Sequence, residues 1–274
     1  MKTKSNKLIL TFAAASALIC ATVRFFQIMT LTDFENGFFF RGSELGGALG
    51  YVLLGVCAVL LILLAFLGRK RGNSAYFVSS DGMGSNATRG LGAGEMIGGL
   101  LIGFRVTQGL DVFSMICEVI LAAVFIISGA ALMGRIKPPK FTGHIKLIAA
   151  LFLFFRAATL FNSDLLIRQH AENLIVLFSL VLFSAFTAAS ARFYARVESK
   201  NTRLGEISLA AVTFLFSATH VISDLFAMAF GGAGASAFVS LSFEAAAAAV
   251  ISGSFLVVIF FTEKKKDVVP YVEK

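Results

Sequence analysis

The stretch AGEMIGGLLIGFRVTQGLDVFSMICEVILAAVFIISGAALMG, residues 93–134, reads as two apolar helices and the turn between them. Each arm, about 93–110 and about 113–134, has enough residues to cross roughly 30 Å of hydrocarbon. Between the two helix cores, charge falls on three residues. Arg105 lies near the end of the first arm, Asp111 in the turn, and Glu118 near the start of the second. The same order recurs along the chain. The basic residues are Arg24, Arg105, Arg156 and His220, the turn residues Asp33, Asp111, Asp164 and Asp224, and the glutamates Glu44, Glu118, Glu172 and Glu244.

Composition generalises this reading. The 274 residues are 57% hydrophobic and only 15% charged, against about 25% charged in ordinary soluble domains. Long apolar runs recur from end to end, and none alternates apolar and polar residues as a barrel strand would. The expected fold is all-α: a polytopic membrane helical bundle, one integral domain over 1–274, with eight transmembrane helices as four tandem hairpins. The spans are expected at about 8–29, 45–68, 93–110, 113–134, 143–162, 173–193, 207–228 and 236–262. The first begins like a signal sequence, with Lys2, Lys4 and Lys7 before an apolar run. Its apolar character continues through Phe25, Phe26 and Met29, so it is expected to be a retained helix.

The net charge of +8 could suggest nucleic acid, but its distribution fits a membrane better. Most Lys and Arg fall in alternate connectors: the amino terminus, Arg69-Lys70-Arg71, Arg135 to Lys146, Arg192 to Arg203, and Lys264-Lys265-Lys266. Only Arg24, Arg41, Arg105, Arg156 and Arg168 lie on the opposite side. Basic loops face the cytoplasm. Both termini are therefore expected to be cytoplasmic, in a multi-pass protein of the cell membrane with lipid as its first partner and other membrane proteins as further ones. Small-residue pairs at four-residue spacing, Gly46 and Gly50, Gly94 and Gly98, Gly99 and Gly103, Ala245 and Ala249, predict close helix packing.

Chemistry-bearing motifs are absent from the sequence. The glycines between Gly82 and Gly94 are not followed by Gly-Lys-Ser/Thr, so they do not make a phosphate loop. Cys20, Cys57 and Cys117 sit in apolar runs without Cys-x-x-Cys spacing and read as packing residues. His144, His170 and His220 are scattered, which predicts no metal site. No nucleophile elbow, His-Glu-x-x-His or acid-rich cluster occurs. The expectation is a protein that is not an enzyme and uses no cofactor.

The stretch Leu31-Thr32-Asp33-Phe34-Glu35-Asn36-Gly37-Phe38-Phe39 resembles a turn in uncharacterised multi-span bacterial membrane proteins. There an apolar first helix with an arginine leads into Thr-Asp, a few residues, and Gly-Phe-Phe. The resemblance covers the first forty residues or so. It implies a bacterial origin and about eight helices, and it implies no activity.

The repeated charges allow three readings. Side chains tilt toward the amino terminus of their helix, so the arginines of odd helices lean into the membrane and need protein partners. Ion pairs such as Arg105 with Glu118, and His220 level with Glu244, would then form one outer layer. As a lock, that layer fits a non-enzymatic structural or accessory component. As an outward-facing charged pocket, it fits a small-solute transporter or ligand receptor. His220, Asp224 and Glu244 could also carry protons. Glu95 and Glu206 appear at the cytoplasmic ends with no acid between, which counts against a proton path across the membrane; Lys146 belongs to the basic connector that begins at Arg135.

Overall fold

The computed structural model describes residues 2–33, 38–39, 52, 55–56, 59, 85–108, 112–134, 142–163, 171–194, 200–231 and 242–261. Helix α1, Lys2–Leu31, runs into a two-stranded antiparallel ladder of β1, Thr32–Asp33, and β2, Phe38–Phe39, which pairs Thr32 with Phe39 and Asp33 with Phe38. The remaining helices are α2 (Ser85–Arg105, extended by a 3-10 turn Val106–Gln108), α3 (Val112–Leu132), α4 (Thr142–Ser163), α5 (Ala171–Tyr194), α6 (Lys200–Phe230) and α7 (Phe243–Phe261). Positions 52, 55–56 and 59 are also helical.

Five of these helices are long and apolar enough to cross a membrane: Thr11–Leu31, Val112–Leu132, Gly143–Asn162, Ile175–Arg192 and Gly205–Phe230. The chain is a multi-span α-helical membrane protein. The expected eight transmembrane helices in four tandem hairpins are corrected. Helix α2 carries Arg89, Glu95 and Arg105 and is rich in glycine, so its apolar character is too low. The apolar part of α7 is short, Phe243–Val257. The span expected at about 45–68 falls outside the described residues except for its isolated helical positions.

Packing also departs from tandem hairpins. Helix α2 packs on both α3 and α7, α1 packs on α6, and α6 packs on α5 and α7. The choice of partner follows from side-chain size on α2. A Cβ on Gly92 would stand 2.5 Å from the backbone oxygen of Gly129, and one on Gly99 would stand 2.9 Å from that of Ala122. These two glycines bring α3 against one face. Gly94 and Gly98 meet Ser254 and Ile251 of α7 on another. Lipid and side chains are equally apolar, so backbone approach, not hydrophobicity, selects the neighbours. The small-residue spacing expected at Gly94 and Gly98 serves this α7 contact.

The bundle has an apolar core that also encloses polar groups, and its outer surface is apolar as well. Ser179, Thr187, Thr213, Ser217, His220, Ser223 and Asp224 are buried, whereas Phe104, Phe113, Leu151, Phe154, Phe155 and Phe230 are exposed. That arrangement suits a bundle surrounded by lipid, where apolar surface costs nothing and polar groups must turn inward. Two helix ends are capped by specific residues. Gly134, with φ of 74°, ends α3, its N–H donating to the Ala131 carbonyl at 3.0 Å; glycine takes this left-handed turn without a Cβ clash. Ser242 starts α7, accepting from the Ala245 N–H at 3.2 Å.

Candidate functional site: two buried ion-pair layers

The first layer joins four helices. Arg105 closes α2, Glu118 lies on α3, Arg156 on α4, and Glu244 in the first turn of α7. Arg105 Nη1 pairs with Glu244 Oε1 and stands 3.6 Å from Glu118 Oε1. Arg156 Nε donates to Glu244 Oε1 at 3.2 Å and lies 3.8 Å from Glu118 Oε1. Two guanidinium groups and two carboxylates therefore alternate, and the cluster is neutral as a whole. Helix dipoles reinforce it: Arg105 sits at the negative end of α2 and Glu244 at the positive end of α7. The arginine side chains retain 13% and 19% exposure, so this layer lies near an edge of the bundle.

A second layer lies deeper. Lys146 Nζ pairs with Glu95 Oε1 at 2.8 Å, with side-chain exposures of 1% and 3%. The Ser128 hydroxyl donates to Glu95 Oε2. The ammonium also stands 4.2 Å from the centre of the Phe125 ring, a cation–π contact that strengthens where water is absent. Phe125 is held in turn by stacking on Phe183 of α5 at 5.5 Å. The sequence reading assigned Lys146 to a basic connector and Glu95 to a helix end. Both are corrected: α4 begins at Thr142, and its first turns carry Lys146 into the bundle beside α2 and α3.

The two layers share their helices. Glu95 and Arg105 lie ten residues apart on α2, Lys146 and Arg156 ten apart on α4, and Glu118 and Ser128 ten apart on α3. At 1.5 Å per residue the layers are separated by about 15 Å. Helices α2 and α3 run antiparallel, since Gly92 meets Gly129 while Arg105 meets Glu118. This direction is what allows each helix to contribute to both layers.

The other expected residues distribute as follows. His220 pairs with Asp224 on its own helix, Nε2 to Oδ2 at 3.3 Å, and Glu244 goes to Arg105 and Arg156, so the expected level pairing of His220 with Glu244 is replaced. Arg24 is buried on α1 and donates to Gln27 Oε1. Asp33 contributes its backbone to β1. Glu172 lies in α5. Glu44, Asp111 and Asp164 lie outside the described residues. Glu206, which sequence placed at a helix end, is fully buried on α6. Among the described residues no group of His, Cys, Asp and Glu is arranged to hold a metal ion.

Comparison with known protein families, with curated proteins and with solved structures gives no match. Class is thus defined by the helices and the interior alone: a multi-pass membrane protein with charged and polar groups enclosed at more than one depth.

Proposed function

We propose that the protein is a small-solute transporter in which the two ion-pair layers act as opposed gates. One observation carries the reading: α2, α3 and α4 each place a charged or hydrogen-bonding group in both layers. Buried ion pairs add little net stability compared with apolar side chains of similar volume. Ionisable residues within membrane helices accordingly mark function more often than strength. Two neutral layers about 15 Å apart on common helices allow one to separate while the other holds, as alternating access requires. The enclosed Glu95–Lys146 pair supplies the inner charge whose apparent absence had weighed against transport.

A second reading is favoured by the neutrality of both layers. A closed set of two arginines and two glutamates, with a separate Lys–Glu pair, also suits a static lock in a non-enzymatic structural or accessory component. Accessibility separates the two. Leu121, buried between the layers on α3, is replaced by cysteine in a chain lacking Cys20, Cys57 and Cys117, and probed with a membrane-impermeant maleimide from each side. For gates, Lys146→Met opens Leu121→Cys to reagent from one side and Glu118→Gln opens it from the other. Reactivity that stays absent in both variants, or appears from the same side in both, refutes the gates and leaves the lock.

A further inference from the structure

Helix α6 carries a polar line that neither layer uses. Glu206, Thr213, Ser217, His220 and Asp224 are all buried and follow one another by seven, four, three and four residues, the spacing of a single helix face. From Glu206 to Asp224 the line covers about 27 Å, nearly the thickness of the hydrocarbon. His220 lies within about 4 Å of the midpoint of the Gly205–Phe230 span.

Contacts fix where this line runs. Helices α4 and α5 are joined by residues 164–170 and pack together, so they are antiparallel and Phe178 lies closer than Leu182 to the Arg156 end. Thr213 donates to the Leu182 carbonyl at 3.1 Å, and Phe216 packs on Phe178. Helix α6 therefore rises toward the Arg105 layer. At its lower part, Phe214 lies against Gly253, next to the Ser254 that meets Gly94. The line thus begins below the Glu95 layer and climbs to the level of the upper one.

Helix α1 runs alongside α6. Ile28 packs with Ala227, Phe25 packs edge-on to Phe226, and the two helices stay together over their length, so they run parallel. This register sets Ala17 beside the level of Ser217, Cys20 and Ala21 beside that of His220, and Arg24 beside that of Asp224. From the elements packed on α6, the charged or titratable groups among the described side chains are Arg24 and Cys20 on α1, Arg192 on α5 and Glu244 on α7, with Glu206 on α6 itself. Glu244 is already held by Arg105 and Arg156, and Arg192 is exposed.

We propose that His220 and Asp224, a buried pair on α6, form a proton-binding site inside the bundle, and that protons bound there drive the gates. The neutral imidazole keeps its N–H at Nε2, toward Asp224; it takes up a proton at Nδ1 and becomes the cation of a buried pair with that carboxylate. Release returns it to the neutral form that a low-dielectric interior favours. Arg24, one helix away, supplies positive charge near Asp224 when the imidazole is neutral. The hydroxyls of Ser217 and Thr213 lead down the same face toward the carboxylate of Glu206. The coupling rests on the transport reading, whereas the site does not.

The test titrates the site directly in the full-length protein in lipid nanodiscs. With 15N-labelled histidine, the His220 resonance is assigned by its loss in His220→Gln, leaving those of His144 and His170. The expected result is a change from neutral to protonated imidazole between pH 5 and 8, absent from that window in Asp224→Asn and restored in Asp224→Glu. A His220 signal that does not change over this range, or one that titrates identically in Asp224→Asn, overturns the proposal. Leu121→Cys accessibility measured at both pH limits then reports the coupling. A site that titrates while accessibility stays constant refutes the drive on the gates and leaves the proton site standing.

Discussion

Replacing Lys146 by methionine tests the deeper layer most sharply. The change removes an ammonium that is 1% exposed and stands 2.8 Å from Glu95, and keeps nearly the same volume and shape. Glu95 keeps the Ser128 hydroxyl as a hydrogen-bond donor. Removing one member of a buried ion pair costs about 3–5 kcal/mol, and the retained hydroxyl offsets about 1.5–3 kcal/mol at most. The expected loss is therefore about 2 kcal/mol, or roughly thirtyfold in the folding equilibrium. Glu95→Met leaves the ammonium over Phe125, a contact worth about 1–2 kcal/mol in a dry site, so its loss should be similar or slightly smaller. The double variant, Glu95→Met with Lys146→Met, leaves neither charge and should recover most of the loss, since apolar replacement of a whole buried pair is commonly neutral or stabilising. Reversible unfolding in mixed micelles, followed by circular dichroism, measures all three. If the double variant is as unstable as the two single losses added together, the residues do not act as a pair and the inner layer does not exist as described.

Gly92→Ala should destabilise by about 1–3 kcal/mol through overpacking, because its Cβ would stand 2.5 Å from the Gly129 oxygen. Gly205→Ala, where nothing lies within 4 Å, should stabilise by about 1 kcal/mol through helix propensity; thermal unfolding of the two variants should shift in opposite directions. In the upper layer, the double-mutant cycle of Arg105 with Glu244 should show larger coupling than that of Arg105 with Glu118, since only the first is in close contact. Equal coupling would argue that the charges act as a diffuse field.

Ser242→Ala should cost about 0.5–2 kcal/mol by removing the cap of α7. Because Glu244 sits within that first turn, the same change should weaken the Arg105–Glu244 coupling when the cycle is repeated in its background.

Much of the molecule's class was legible in the residues themselves. Charges are scarce in an apolar chain, so each stands out, and burying one in lipid is costly enough that Arg105, Glu118, Arg156 and Glu244 could be picked as candidates before any contact was known. What local sequence could not supply was the partner. Helical periodicity says which residues share a face, but in lipid hydrophobicity does not say which face turns inward. Lys146 therefore looked like one more residue of a basic connector, next to Arg135, Lys137 and Lys140. The carboxylate that holds it lies on a helix far away in sequence, and only packing reveals it.

The number of crossing helices was misread for a related reason. Apolar runs and regular charge spacing suggest equal hairpins, whereas α2 is glycine-rich and charged, and its glycines pack closely on α3 and α7. Sequence alone determined that this chain belongs in a membrane and that its few ionisable residues stand out as candidates, since both follow from the cost of transferring polar groups into hydrocarbon. Tertiary structure decided that those residues form two layers, and that Glu244 closes the upper one with Arg105 and Arg156. Ion pairing depends on which backbones can approach, and glycine contacts between distant helices set that approach.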